Sequence, residues 1–363
     1  MPIGEIIFLP NGHLELTTSE HGKLTLSEWK ITPLKLESLQ DYKENGKVHI
    51  TLTDLTVLED PEITEITVTN IIPDVLGAYC LVQGGWVPPG FGMINSTVFA
   101  DRNFISKLTS NFEGDKAKNT DLAKWFSDLK NFNFQIDIIP FAVEGNKKRF
   151  PSKNEVVAQI KEARDKLQVA APGIEITKYR IPLQDYAWKL VTGLEPYIQK
   201  RMDFLTQAAP LIKPSSKKEI ILKRWQSIAD IAKDHGLSTD IIHFVALISI
   251  SAPQKNSPGL DILKINHPYP QEKAYNACCD ISQMELLINL QRMNPSGKYA
   301  IITSDLGLVR FGGLLNDLTH KTSDDDNLTL SAKIQPDLIG SDPELHKAFR
   351  KLISGNASVD SLE

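Results

Sequence analysis

The chain has 363 residues, of which 41% are hydrophobic, and it carries a net charge of −5. This composition excludes a wholly disordered protein, because a chain of this length and apolar content can bury a sizeable core, and it suggests two domains. The acidic balance excludes a surface covered in basic residues, so any contact with nucleic acid has to come from a local basic patch.

Neither the cysteines nor the apolar runs indicate an oxidising or a membrane environment. Cys80 stands alone, while Cys278 and Cys279 are adjacent in a helical pattern, so no metal-ligand spacing results. No stretch approaches the roughly 20 apolar residues of a membrane span, and no basic leader with a long apolar run is present at the start. We expect a cytoplasmic protein without a membrane partner.

The first 92 residues predict a β-rich module. Short runs that favour strands, such as HLELTT and KVHITLTDLTVL, are separated by NG and ENG turn signals. The module has thirteen Asp and Glu against five Lys, so we do not expect it to bind phosphates. The segment GGWVPPGFG, residues 84–92, is rich in residues that break helices and strands, and it predicts a joint to the next module.

Residues 93–320 predict an α/β domain. The apolar runs STVFAD and KYAIITSD predict buried strands, and each leads directly into a helical pattern. Between them, helical periodicity predicts a long, mainly helical part, which includes a buried helix with Ser238 as its candidate N-cap. Strands separated by many helical residues imply a parallel sheet flanked by helices. Residues 321–363 predict a solvated linker at SDDDN and a helix at DPELHKAFRKLI.

Four acidic residues are candidate metal ligands and catalytic groups. Asp101 and Asp305 end the two predicted strands, at the edge where a parallel sheet places its ligands. Glu144 closes the apolar run IDIIPFAVEG, and Asp280 lies in a helical pattern flanked by apolar residues. Because a partly enclosed carboxylate needs a neighbouring cation, Asp280 predicts a bound metal.

Each of these acids also has an ordinary structural explanation. Asp101 or Asp305 alone is more simply a helix N-cap, and Asp280 is more simply part of a solvated helix face. Glu144 is equally well explained as an exposed loop residue. Two acids at the ends of two apolar strands, each followed at once by a helix, favour a site over two independent caps.

Basic and polar residues beside the acids predict substrate contacts. Lys147, Lys148 and Arg149 follow Glu144 closely and are suited to holding phosphates. Lys273 and Asn276 share a predicted helix face with Asp280. The acids themselves suit Mg²⁺ or Mn²⁺, hard cations that prefer carboxylate oxygen and water and that can activate water for phosphodiester cleavage.

Two segments resemble the PIN-like nuclease family. VFADRN, residues 98–103, resembles the opening strand motif of that family, in which an Asp is followed two residues later by an Asn just before a helix. AYNACCDISQMELL and then YAIITSDLGLVRF resemble the later half of the family, and the resemblance covers residues 94–318. It implies a PIN-like parallel sheet behind the β-rich module, with Mg²⁺ or Mn²⁺ held by Asp101, Glu144, Asp280 and Asp305 and supported by Asn103 or Thr303.

The chain departs from compact PIN domains in the long helical stretch between Glu144 and Asp280, which an insertion would explain. Asp317 and Asp261 are alternative acids. The resulting expectation is a metal-dependent nuclease, with RNA preferred over DNA as its substrate. The alternatives are a PIN-like scaffold that binds RNA or protein without catalysis, and a metal-dependent phosphatase. A homo-oligomer or a regulatory protein partner is left open.

Overall fold

The computed structural model describes residues 5–71, 77–113, 116–118, 120–251, 257–266, 268–314, 318–322, 328–332 and 336–353. Its helices are α1 (Glu37–Asn45), α2 (Pro89–Met93), α3 (Arg102–Leu108), α4 (Thr120–Asp128), α5 (Ile139–Glu144), α6 (Lys153–Ala170), α7 (Leu183–Ala208), α8 (Lys218–Asp234), α9 (Ile241–Ser251), α10 (Pro258–Leu263), α11 (Gln271–Met293), α12 (Leu306–Leu314), α13 (Pro336–Ile339) and α14 (Pro343–Ile353). Its strands are β1 (Glu5–Phe8), β2 (Leu14–Thr18), β3 (Gly22–Ile31), β4 (Lys47–Val57), β5 (Glu65–Ile71), β6 (Tyr79–Val82), β7 (Gly85–Val87), β8 (Thr97–Ala100), β9 (Phe112–Glu113), β10 (Lys116–Ala117), β11 (Gln135–Asp137), β12 (Glu175–Ile176), β13 (Tyr299–Thr303), β14 (Leu318–Thr322) and β15 (Leu328–Ala332).

The chain divides into two compact units. The first unit comprises Met1–Val143, Ser152–Ala187 and Leu286–Asn316, and the second comprises Glu144–Pro151, Trp188–Glu285 and Asp317–Glu363. This division does not test whether the predicted domains 1–92, 93–320 and 321–363 fold independently, so those boundaries stay predictions.

The N-terminal strands of the first unit form an antiparallel sheet in the order β1-β2-β3-β4-β5. In β4, Val48, Ile50 and Leu52 are buried, whereas the alternate residues Lys47 and His49 are exposed. Since successive side chains of a strand point to opposite faces, one face of this sheet packs into the core and the other is polar. The N-terminal part of the chain is therefore rich in β-structure, as the sequence predicts.

Residues 84–92, which the sequence predicts as a joint between modules, are mostly buried in the first unit. β7 pairs antiparallel with β6, and the indole of Trp86 is fully buried and donates to the carbonyl oxygen of Lys35 at 2.9 Å. In α2, a Cβ atom added to Gly92 would lie 2.3 Å from Cβ of Cys80. The glycines here serve close packing between elements, which local sequence alone does not distinguish from a flexible connection.

The second sheet of the first unit has the order β12-β11-β8-β13-β6-β7. The pairs β11·β12, β11·β8 and β13·β8 are parallel, and β13·β6 and β6·β7 are antiparallel. The fold is therefore a mixed α/β arrangement, with a parallel part as predicted and an antiparallel edge that was not. The chain proceeds from β8 outward to β11 and β12 and then returns to the other side of β8 with β13. Open α/β sheets bind ligands at the carboxyl ends of their strands where the order reverses in this way.

The described part of the second unit is mainly helical. α9 is buried from Ile241 to Ile250, as its apolar sequence predicts. The N-cap is Asp240 and not the predicted Ser238, because Oδ1 of Asp240 accepts from the N–H of Ile242 at 2.8 Å. The C-terminal helix that the sequence predicts is present as α14. No helix within the described ranges is both long enough and apolar enough to cross a membrane.

In the same unit, the fully buried guanidinium of Arg201 on α7 lies between two carboxylates. Nη2 of Arg201 is 2.9 Å from Oδ1 of Asp240, and Nη1 donates to Oε2 of Glu285 on α11 at 2.8 Å. The ring of Tyr197 stacks against the guanidinium, with its centroid 4.1 Å from Cζ. These contacts satisfy the buried charge, which would otherwise be strongly unfavourable.

Candidate functional site

Two acidic residues follow the strands on either side of the order reversal. The N–H of Asp101, directly after β8, donates to the carbonyl oxygen of Ile302 in β13 at 2.9 Å. The hydroxyl of Thr303, the last residue of β13, donates to Oδ2 of Asp101 at 2.7 Å and accepts from the N–H of Asp305 at 2.9 Å. One threonine hydroxyl therefore links the two strand ends, and the structure brings together the predicted residues Asp101, Thr303 and Asp305.

The two acids differ in burial and in their local roles. Asp101 is 1% exposed, whereas Asp305 is half-buried. Oδ1 of Asp305 accepts from the N–H groups of Gly307 and Leu308 at 2.8 and 3.2 Å and so caps α12. The structural explanation of Asp305 as a helix cap is therefore correct for one of its oxygens, and it does not prevent a second role.

An open cleft of about 490 Å³ lies between α3 and the turn from β13 to α12. Asn103, Ser106 and Lys107 of α3 are three and four positions apart, so they share one helix face, and Ser110 follows α3. Its lining side chains are Asn103, Ser106, Lys107, Ser110, Ser304, Asp305 and Leu306. The cleft thus contains Asp305 and the predicted substrate contact Asn103, together with a lysine and hydroxyls that the sequence did not single out.

Asp137 is a further carboxylate at this edge of the sheet, and the sequence gives little indication of it. It ends β11 and pairs with Phe99 of β8, so it shares a sheet face with Asp101. Asp137 is 1% exposed; Oδ1 accepts from the N–H of Ile139 at 2.9 Å, and the hydroxyl of Tyr179 donates to Oδ2. Burial raises the pKa of Asp137 above its usual value, although both hydrogen bonds oppose that rise.

Asp280 and Glu144 belong to the second unit. Asp280 is 6% exposed, and Nζ of Lys264 lies 3.9 Å from its Oδ2. The ammonium group of Lys264 therefore supplies positive charge near this enclosed carboxylate. The carbonyl oxygen of Glu144 accepts from the hydroxyl of Tyr275 on α11 at 2.9 Å. Burial, followed by the charge of Glu144, raises the pKa of Cys279, and the charge of Asp280 adds to this, so both acids act on one thiol.

The remaining predicted contacts of the second unit lie on α11 and in the loop before α6. Lys273 and Asn276 are half-buried on α11. Lys147, Lys148 and Arg149 are exposed, and Nη1 of Arg149 donates to the carbonyl oxygen of Phe150 at 2.8 Å. Their exposure is compatible with phosphate contacts but does not indicate them.

The structure adds no support for Asp261 or Asp317 as alternative metal ligands. Asp261 lies in the first turn of α10, whose N-cap is Ser257, and Asp317 lies outside the described residues.

The predicted site residues are divided between the units: Asp101, Asn103, Thr303 and Asp305 belong to the first, and Glu144, Lys147, Lys148, Arg149, Lys273, Asn276 and Asp280 to the second. Over the ranges that the structure describes, no group of three or more His, Cys, Asp or Glu side chains is arranged to hold a metal ion. The metal site of four carboxylates therefore stays a prediction.

Comparison with known proteins adds no further constraint. No family model, no curated protein and no solved structure matches the chain. The functional argument therefore depends on the geometry of the chain's own residues.

Proposed function

We propose that the protein is a Mg²⁺- or Mn²⁺-dependent nuclease of PIN-like fold whose reaction centre lies at the carboxyl ends of β8 and β13. One observation carries this proposal: Asp101 and Asp305 follow the two strands that flank the order reversal, and the hydroxyl of Thr303 joins them. Ligands of open α/β sheets bind at this position. The sequence resemblance of these two segments to PIN-like nucleases supports RNA as the substrate.

The residues at this edge fit Mg²⁺ in their chemistry. Mg²⁺ in phosphate-handling sites is usually held by one or two carboxylates, with water and substrate phosphates completing its shell. Asp305 lines the cleft, Asp101 accepts a hydrogen bond from Thr303, and the lining side chains include neither thiol nor imidazole. When bound, such a cation supplies positive charge that polarises a phosphodiester and eases deprotonation of water.

The residues at this edge have two roles, binding the cation and positioning the residue that binds it. Asp305 holds the cation at the cleft, and the negative charge of Asp101 strengthens the attraction for it. Thr303 fixes the backbone of Asp305 through its hydroxyl. Glu144, Asp280, Lys147, Lys148 and Arg149 belong to the second unit, and their part in the reaction stays a prediction from the sequence.

The second candidate function is a scaffold that binds RNA or protein without catalysis. Two observations favour it: Asp101 is almost fully buried, and one oxygen of Asp305 is already used to cap α12. In that case both acids stabilise the first unit and hold no metal.

Cleavage of RNA by Asp305→Asn separates the two functions. Asparagine keeps the Oδ1 acceptor that caps α12, so the variant should fold, but it removes the negative charge. With end-labelled single-stranded RNA and Mn²⁺, cleavage should fall on the order of 100-fold, the size of loss when one preorganised electrostatic group leaves an active site. Asp165→Asn makes the same charge change on the exposed face of α6 and should cleave like the wild type.

Equal cleavage by Asp305→Asn and the wild type would remove Asp305 from the mechanism. A wild-type protein that cleaves neither RNA nor single-stranded DNA, with either metal, supports the scaffold. A phosphomonoester included as a third substrate identifies a phosphatase.

A further inference from the structure

The cleft beside Asp305 has a lining in which hydrogen-bond donors predominate. Lys107 is the one cation among the lining residues, and no carboxylate of the described residues lies within ion-pair distance of its ammonium group. The amide of Asn103 offers two further N–H donors. Asp305 is the one carboxylate of the lining, and its Oδ1 already accepts two backbone N–H groups.

Ser304 adds a hydroxyl that lacks a partner. Its Oγ is shielded from solvent and makes no hydrogen bond to any described residue. An unsatisfied buried hydroxyl is unfavourable, and rotation about Cα–Cβ among the staggered positions can turn it towards an acceptor. An acceptor bound in the cleft that Ser304 lines would satisfy it. Ser110 cannot play this part as placed, since its hydroxyl donates to the carbonyl oxygen of Lys107 at 2.7 Å.

The size and charge of the cleft suit one phosphate on a nucleotide-sized ligand. A volume of about 490 Å³ falls within the roughly 300–1,000 Å³ of pockets that take small molecules. A surface that follows a polynucleotide backbone neutralises several phosphates with several cations, whereas this lining has one. A terminal phosphate offers three acceptor oxygens and nearly two negative charges, which match the ammonium of Lys107 and the neutral donors beside it.

We propose that this cleft is a binding site for a nucleoside monophosphate group, with Lys107, Asn103 and Ser304 as donors to its phosphate. The group comes either from a free nucleotide or from the phosphorylated end of a single strand. The role of this site in the cell rests on the proposed nuclease function. A phosphate held next to Asp305 would give the nuclease a preference for phosphorylated ends.

Titration of the full chain with adenosine monophosphate in the presence of EDTA tests the binding site without catalysis. The wild type should bind adenosine monophosphate and show no binding of adenosine up to about 1 mM, the upper range of ordinary substrate affinities. Lys107→Gln should bind the nucleotide about tenfold more weakly or worse, because a charge-assisted hydrogen bond is lost. Lys107→Arg should retain binding, and Lys161→Gln, an exposed lysine of α6, should behave like the wild type.

Oligonucleotides with a 5′-phosphate, a 3′-phosphate or neither distinguish a strand end from a free nucleotide in the same titration. Equal affinity for adenosine and adenosine monophosphate, or unchanged affinity in Lys107→Gln, overturns the proposed site. Nucleotide binding without any metal-dependent cleavage overturns the nuclease and leaves the site intact. Metal-dependent cleavage without nucleotide binding overturns the nucleotide site and leaves the nuclease proposal intact.

Discussion

His243 on α9 is buried, and its two ring nitrogens have different surroundings. Nδ1 lies 2.8 Å from the carbonyl oxygen of Ser238, whereas Nε2 is shielded from solvent and bonds to none of the described residues. The neutral ring with its proton on Nδ1 satisfies this arrangement. Burial lowers the pKa of His243, and the Ser238 carbonyl and the charge of Asp240 oppose this only in part.

Acidification should therefore destabilise the fold through His243. The unfolded chain takes up this proton near the ordinary value of about 6.5, while the folded ring resists it. The loss of stability begins as the pH falls below that value and grows until the folded ring is itself protonated. The free energy of unfolding is measured with denaturant between pH 5 and 7. His243→Asn should reduce its slope against pH by at most about 1.4 kcal/mol per pH unit.

Asparagine can keep a donor for the Ser238 carbonyl, which limits its structural cost. His235→Asn, at the half-exposed end of α8, is the matched control for loss of an imidazole elsewhere in the same unit. Equal slopes in His243→Asn and the wild type would exclude His243 as a source of the pH dependence.

For single residues, the sequence identifies those site residues whose position follows from the neighbouring residues in the chain. Asp101 and Asp305 each end an apolar run just before a helix, and that pattern predicts their position at the sheet edge. The role of Asp137 depends on Tyr179, which is 42 residues away, and its own apolar run shows nothing unusual. The approach of Lys264 to Asp280 depends likewise on how α10 and α11 are placed, which local sequence does not show.

Among the elements, α2 has no room for a larger side chain at Gly92. A Cβ atom on Gly92 would lie 2.3 Å from Cβ of Cys80 and 3.2 Å from Cγ2 of Val87. Both neighbours are buried strand residues that have little room to move.

Gly92→Ala should therefore destabilise the protein by about 1–3 kcal/mol, as overpacking of a core does. Gly193 provides the matched control, because it lies within α7 and an added Cβ would meet nothing within 4 Å. Gly193→Ala should stabilise the protein by roughly 0.4–1 kcal/mol, since alanine favours the helix and restricts the unfolded chain. Thermal or urea unfolding measures both, and an effect of the same sign in the two variants would contradict the packing argument.

Elements with a clear local pattern were predictable and those without one were not. β8, β13 and α9 follow from their apolar runs, and α6 and α8 follow from apolar periodicity. β12 has two residues, and β7 lies among glycines and prolines, so neither carries enough local pattern. β12 forms because β11 supplies hydrogen-bond partners from a distant part of the chain, whereas β7 forms a hairpin with the adjacent β6.

For the whole molecule, the candidate site links metal binding to stability. A ligand that binds the folded state alone stabilises it by about 2.7 kcal/mol at one hundred times its dissociation constant. Mn²⁺ should therefore raise the melting temperature of the wild type with increasing concentration and have little effect on Asp305→Asn. Ca²⁺-free buffer and an Asp165→Asn control exclude general ion effects. No response of the wild type would favour the scaffold over the nuclease.

The order of the mixed sheet illustrates the limit of prediction at this scale. Parallel pairing of β8 and β13 follows from the number of helical residues between them. The antiparallel addition of β6 and β7 does not, because it depends on a segment whose composition is typical of a turn. The parallel orientation of β8 and β13 is thus predictable, whereas the strand order around β8 and the edge of the sheet beyond β13 are not.

The burial of Arg201 has a consequence for how the second unit comes apart. Its charge is balanced by Asp240 at the start of α9 and by Glu285 on α11, partners 39 and 84 residues away along the chain. Withdrawal of either segment leaves the buried guanidinium with a single carboxylate and with N–H donors unpaired away from water, which is unfavourable. We therefore expect α7, α9 and α11 to unfold together rather than one helix at a time.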